Sequence, residues 1–240
     1  MGITEIFKKI SNVFIDKEVD QYFPGCLTEI KIPELKDNYL EICRILNIRL
    51  ELFDLICCGL PAVNAGNDDF FLDEKRKSQI LEENIVKIYS NCPSCVFHLK
   101  EKNYNVDHIL ELIYEKLKVH KKIRKLNMKV TFHDPCHLGR YLGKYDLPRD
   151  ILRLIGCEVV EMKHNKENSM CCGAGGGLIN NNPEVAKKIA KERMREAKDV
   201  ANILVTACPL CYLHLKEVSD NVEVYEISTL ILKALKEDKK

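Results

Sequence analysis

Asn91-Cys92-Pro93-Ser94-Cys95-Val96-Phe97-His98-Leu99-Lys100 recurs as Ala207-Cys208-Pro209-Leu210-Cys211-Tyr212-Leu213-His214-Leu215-Lys216. Working outward, Cys57-Cys58-Gly59 recurs as Cys171-Cys172-Gly173, and a single upstream cysteine, Cys26, recurs as Cys136. The offset is 116 residues at the last pair, 114 at the middle pair and 110 at the first cysteine. One unit is therefore duplicated, with small loop insertions in the second copy. Ten of the twelve cysteines belong to this frame. Cys43 and Cys157 lie outside it. Aligning Arg44 with Arg153 sets Cys43 opposite Leu152 and Cys157 opposite Ile48, so both are expected to be buried as small hydrophobes.

The second copy shows the elements of the unit most clearly. Lys129 to His133 is a β-branched and aromatic run before Cys136. Leu147 to Ile155 reads as a helix stopped by Gly156. Glu158 to Met162 is strand-like, and Pro183 to Lys198 is a long helix with proline at its first turn. Ile203 to Thr206 reads as a buried strand, Pro209 opens a further helix, and Val222 to Tyr225 and Ser228 to Lys236 add a last strand and helix. The first copy follows the same order with weaker signals. Strands alternating with helices predict parallel sheets covered by helices. The expected fold is α/β, with two tandem, duplicated Rossmann-like units of mainly parallel sheet related by pseudo-two-fold symmetry. Residues 1-124 would form the first unit with an N-terminal extension, and residues 125-240 the second. Each framed cysteine group is expected to follow a strand, and ligands of open α/β sheets sit beyond the carboxyl ends of the strands. Three loops of each half would then bring five sulfurs together.

Composition narrows the chemistry. A chain of 240 residues with 46% hydrophobic content supports real cores, unlike a disulfide-stapled miniprotein. A net charge of +1 gives no electrostatic argument for nucleic acid. No run approaches the length needed to span a bilayer, so no direct membrane insertion is expected. No signal peptide is apparent, and a cytoplasmic location is expected. There, thiols stay reduced and serve as ligands or redox groups.

Soft thiolates select zinc or iron–sulfur clusters over hard cations. Pro93 and Pro209 suit first helical positions, so each Cys-Pro-x-Cys segment sits at a helix N-terminus, a favourable seat for an anionic group. A lone Cys-x-x-Cys also suits zinc or a thioredoxin-like redox pair. Adjacent cysteines plus an upstream cysteine in both copies favour a cluster, because tetrahedral zinc has no use for a fifth thiolate. Cys57 and Cys58 can serve one site only where the backbone turns, and Gly59 and Gly173 permit such a turn. A vicinal disulfide is the competing reading of each adjacent pair.

The doubled Cys…Cys-Cys-Gly…Cys-Pro-x-Cys frame resembles the cysteine-rich CCG domain. That domain occurs in the B-type and D-type subunits of heterodisulfide reductase and in iron–sulfur subunits of glycolate, lactate and glycerol-3-phosphate dehydrogenases. The resemblance covers nearly the whole chain after about residue 20. Its strongest words are His133-Asp134-Pro135-Cys136-His137-Leu138-Gly139-Arg140 and Glu167-Asn168-Ser169-Met170-Cys171-Cys172-Gly173-Ala174-Gly175-Gly176-Gly177. It implies two noncubane [4Fe-4S] clusters. Cys26, Cys57, Cys58, Cys92 and Cys95 would hold one, and Cys136, Cys171, Cys172, Cys208 and Cys211 the other. Many dehydrogenase-associated relatives have a degenerate first set; here both are intact. The chain lacks the ferredoxin-like cysteine runs of D-type subunits, so cubane clusters would belong to another polypeptide. No flavin or nicotinamide fingerprint is present.

The resemblance implies an oxidoreductase subunit active only with partners. It would reduce a small-molecule disulfide with electrons from a ferredoxin-like iron–sulfur subunit, and a flavoprotein subunit is a further candidate partner. Alternatives are an electron-transfer subunit of a flavin-dependent 2-hydroxyacid dehydrogenase and a structural zinc protein. His133 and His137 flank Cys136, where Phe23 and Leu27 align in the first copy. Either is a candidate to protonate a departing thiolate, or to hold structure through hydrogen bonds. His98 and His214 could donate to cluster sulfur or lie on a partly exposed helix face. The glycine run after Cys172 reads as backbone that approaches the cluster closely, with phosphate binding as the alternative.

Overall fold

The computed structural model describes residues 19–53, 57–67 and 85–236. Two four-stranded, all-parallel sheets form, one per unit. The first comprises β1 (Val19–Phe23), β2 (Glu51–Leu52), β3 (Ile85–Ser90) and β4 (Val106–His108), in the order β2-β1-β3-β4. The second comprises β5 (Lys129–His133), β6 (Glu158–Val159), β7 (Ile203–Thr206) and β8 (Glu223–Glu226), in the matching order β6-β5-β7-β8. The registers pair Phe23 with Ser90 and Ser90 with His108. Likewise, His133 pairs with Thr206 and Thr206 with Glu226. The carboxyl ends of the three strands are thus level in each sheet, and the cysteine loops leave from that edge.

Among the described residues, the first unit's helices are α1 (Cys26–Lys31), α2 (Pro33–Ile45), α3 (Leu60–Asn64), α4 (Pro93–Glu101) and α5 (Ile109–Val119). The second unit contributes a π-turn (His137–Tyr141), α6 (Asp146–Leu154), a 3-10 turn (Lys166–Asn168), α7 (Leu178–Asn181), α8 (Pro183–Lys198), α9 (Pro209–Val218) and α10 (Ile227–Leu235). Proline opens α2, α4, α8 and α9, where its missing N–H costs nothing. Asn182 caps α8 by accepting from the Val185 amide at 3.2 Å.

The predicted α/β class and the duplication hold. Two local expectations change. The strand expected over 158–162 ends at Val159: the Val160 amide bonds the Val130 carbonyl at 2.8 Å, and Glu161 then turns to Arg149. Cys171-Cys172 consequently follows a long loop instead of a strand. Residues 54–56, just before Cys57, lie outside the described residues.

The two units share one core. Tyr22, Tyr39, Ile42 and Ile113 of the first belong to the same apolar cluster as Phe132, Leu152, Ile227 and Leu230 of the second. Cys43 and Cys157 are buried in this cluster, beside Ile48 and Leu152, as their aligned partners predict. Burial pushes Cys43 up to about 12 and Cys157 up to about 11, so both remain thiols.

Candidate redox centre

Each five-cysteine set converges into one chain of thiol contacts. In the first, Cys26 bonds Cys57, Cys57 bonds Cys58, Cys58 bonds Cys95, and Cys95 bonds Cys92. In the second, the same order runs from Cys136 through Cys171, Cys172 and Cys211 to Cys208, with Cys211 and Cys172 Sγ 3.2 Å apart. The turn expected at each adjacent pair is present. Gly59 and Gly173 have φ +92° and +87°, and their amides donate to Cys57 and Cys171 Sγ at 3.4 and 3.3 Å. Gly25 provides a further fit: a Cβ there would sit 3.2 Å from Cys95 Sγ.

Nine of the ten framed cysteines line a single cavity of about 580 Å³ between the units. Thr28, Ser94, Asn64 and Asn180 add polar groups to its wall, and Gly175, Gly176 and Gly177 bring backbone to it. No side chain or backbone lies within 4 Å of where a Cβ of Gly175 or Gly176 would project. Gly175 and Gly176 therefore front the cavity without packing against the described residues.

The electrostatics suit a multivalent cation group. Cys26 is pushed above the usual thiol range by the Cys57 thiol and by burial, and Cys136 likewise by Cys171 and burial. Cys58 rises to about 12, first through Cys57. Cys95 and Cys211 are raised, first by Cys58 and Cys172 respectively. Two thiols move the other way. Cys92 is lowered by Cys95 and by the helix-end amides of Cys95 and Ser94, and Cys171 falls to about 2 under Cys136, Cys172 and the Gly173 amide. Five neighbouring thiols cannot all ionise without added positive charge; a metal group that replaces their protons supplies it. Five sulfurs also exceed the four of a closed zinc site. The donor set therefore fits iron–sulfur ligation.

The histidines separate. His137 lines the cavity, with Nδ1 3.1 Å from Ser94 Oγ of the other unit and 3.5 Å from Cys136 Sγ. It stacks on Tyr141 and tilts against Phe97, with centroids at 4.8 and 5.5 Å, which fixes the ring. His133 is fully buried, and burial pushes it down to about 3. His98 and His214 are buried too, against the expectation of a partly exposed face. His214 Nε2 lies 3.2 Å from the Ala186 carbonyl of α8, so it serves helix packing.

Sequence reasoning missed the charges behind Cys136. Arg149, fully buried, binds Asp134 at 2.6 and 2.9 Å and Glu161 at 2.7 and 2.8 Å. Asp134 also accepts the Lys166 amide at 2.8 Å, which ties the loop before Cys136 to the 3-10 turn. Arg193 was hidden in a helix rich in Lys, Glu and Arg. Its signal was position: it continues the buried stripe of Ala186, Ala190 and Ala197 at helical spacing.

Comparison with known proteins agrees with this geometry. The cysteine-rich domain family (CCG) matches residues 21–100 and 130–216. The chain is 32% identical to the B-type subunit of fumarate reductase (CoM/CoB) from Methanothermobacter marburgensis, over 90% of this chain and 46% of that protein. It is 33% identical to the D-type subunit of dihydromethanophenazine:CoB–CoM heterodisulfide reductase from Methanosarcina acetivorans, over 92% and 60%. It is 34% identical to the probable iron–sulfur-binding oxidoreductase FadF of Bacillus subtilis, over 71% and 27%. The chain spans from about a quarter to three-fifths of the length of these curated relatives. No helix among the described residues is long and apolar enough to cross a membrane.

Proposed function

The chain belongs to the cysteine-rich CCG domain family, and from that premise we propose that it is a cytoplasmic iron–sulfur oxidoreductase subunit that reduces a small-molecule disulfide. One observation carries the reading: nine of the ten cysteines of two intact five-cysteine sets line the same cavity of about 580 Å³. In this reading residues 1-124 and 125-240 each hold a noncubane [4Fe-4S] cluster, through Cys26, Cys57, Cys58, Cys92 and Cys95 and through Cys136, Cys171, Cys172, Cys208 and Cys211. A ferredoxin-like partner delivers the electrons.

Reducing a disulfide breaks one S–S bond, consumes two electrons and two protons, and releases two thiols. Bound clusters would supply the electrons singly. The chain's own residues do the rest. Leu27, Leu60 and Leu210 in the cavity wall exclude water from an apolar thiol arm, while Thr28, Asn64 and Asn180 offer polar contacts. His137 stands in the wall beside Cys136, hydrogen-bonded to the Ser94 hydroxyl, positioned to pass a proton to a departing thiolate. His133, the last residue of β5, is fully buried and does not line the cavity.

The test is anaerobic isolation with native partners, then assay of disulfide reduction with a reduced viologen as electron source. Thiol release that is lost in Cys171→Ser supports the reading. Co-purification with a flavin-dependent 2-hydroxyacid dehydrogenase, without thiol release from any disulfide, contradicts it.

A further inference from the structure

The two units place different rings at one position. Phe23 ends β1 and packs in the cluster that contains Cys58 and Cys95. His133 ends β5, and one of its ring nitrogens and the Sγ atoms of Cys172 and Cys211 lie within 4.8 Å of one another. Cys172 and Cys211 are the counterparts of Cys58 and Cys95. The same station therefore carries an apolar ring in one half and a polar ring in the other, both fully buried.

The proton on His133 is fixed by its neighbour. Arg193 Nε donates to His133 Nδ1 at 3.1 Å. A guanidinium has only donors and keeps its protons, so Nδ1 must be the acceptor nitrogen. The neutral ring then carries its hydrogen on Nε2. That atom is buried and has no hydrogen-bond partner among the described residues. A buried N–H left without an acceptor is costly, and the ring that carries it lies near two sulfurs that could accept from it. Arg193 cannot easily yield. It is fully buried and also donates to Glu196 at 2.5 Å, to the His164 carbonyl at 2.7 Å and to Ser169 Oγ at 3.2 Å.

We propose that Arg193 locks His133 as an Nε2–H donor toward the sulfur of Cys172 and Cys211, and that this makes the second site the more easily reduced of the two. The inference rests on reading both cysteine sets as cluster sites. N–H donation to a ligating sulfur withdraws negative charge and favours the reduced, more negative state of the group it holds. Phe23 offers the first site no such donor. Electrons entering at the first site therefore run to the second. The same bond bars His133 from ligating a metal, because Nε2 already bears the proton while Arg193 faces Nδ1. Arg193 acts through His133 and is a positioning residue.

Two measurements test this. The first is nitrogen NMR of the anaerobic, metal-free chain labelled in histidine. His133 is expected as the Nε2–H tautomer, with that single state lost in Arg193→Met. An Nδ1–H tautomer or an imidazolium at His133 in the wild-type chain overturns the inference, whether or not any variant folds. The second is a redox titration of the reconstituted chain followed by electron paramagnetic resonance. His133→Phe, which copies the first unit, should shift one midpoint downward and leave the other in place. Arg193→Met should shift the same midpoint the same way, and His133→Gln, which retains an N–H donor, should shift it less. Two clusters whose midpoints stay put, or move together, overturn the inference while leaving the functional reading intact. A chain that takes up no iron overturns the functional reading and the inference with it.

Discussion

Tyr39 of α2 donates its hydroxyl to a carboxylate oxygen of Glu226, at the end of β8, at 2.7 Å, and both side chains are fully buried across the seam between the units. Glu226 also accepts from the Ser228 amide at 2.8 Å and caps α10. Burial raises its pKa from 4.5 to about 7. The folded chain thus holds a proton here that the unfolded chain has released. That contribution is full below about pH 4.5 and is lost as pH rises through about 7. The gap corresponds to roughly 3 kcal/mol. Glu226→Gln should remove it, so urea denaturation at pH 5 and pH 8 should differ less in the variant than in the wild type. An unchanged pH dependence would contradict the assignment.

The repeat made the two parallel sheets and the convergence of the cysteines legible in the sequence, because strand-end loops of an α/β unit can only meet on one edge. The bounds of β5, β7 and α8 were read off directly, from β-branched runs and from Pro183. The strand expected to reach Met162 was not, because what ends β6 early is the pull of Arg149 on Glu161, a contact between residues 12 apart that no local pattern reveals. The single cavity was also invisible. It arises from packing one unit against the other through contacts such as Ser94 to His137.

Arg149 joins two carboxylates in a buried fork, so removing it strands Asp134, which is almost fully buried. Arg149→Met should cost about 3–5 kcal/mol, as for other broken buried pairs. Arg149→Lys should recover little, since an ammonium cannot reproduce paired bidentate contacts. Chemical denaturation measures both. A loss below about 1 kcal/mol, the range of surface pairs, would contradict the assignment of a buried network.

Gly25 has φ +79°, and a Cβ added there would press on Cys95 Sγ at 3.2 Å, with Cys92 Cβ at ordinary contact distance. Gly25→Ala combines backbone strain of roughly 1–3 kcal/mol with displacement of the Cys95 sulfur. Iron in the reconstituted chain should fall toward half, with the second set unaffected. Full iron content in this variant would show that the first set tolerates displacement at Gly25.

Cys43→Ala and Cys157→Ala should leave iron content unchanged. Both thiols lie in the shared core, away from the cavity. The expected loss is packing alone, roughly 1 kcal/mol each. Metal analysis alongside thermal denaturation separates the two effects, and lost iron in either variant would mean the ligand sets are drawn wrongly.

The central claim is that both cysteine sets hold a cluster. Its most direct test is iron and acid-labile sulfide per chain after anaerobic reconstitution. The wild type should approach about eight irons from its two sets of thiolate ligands. Cys57→Ser and Cys171→Ser should each fall to about half, and the double variant to almost none. A plateau at about four irons that Cys57→Ser does not lower would show that the first set holds nothing.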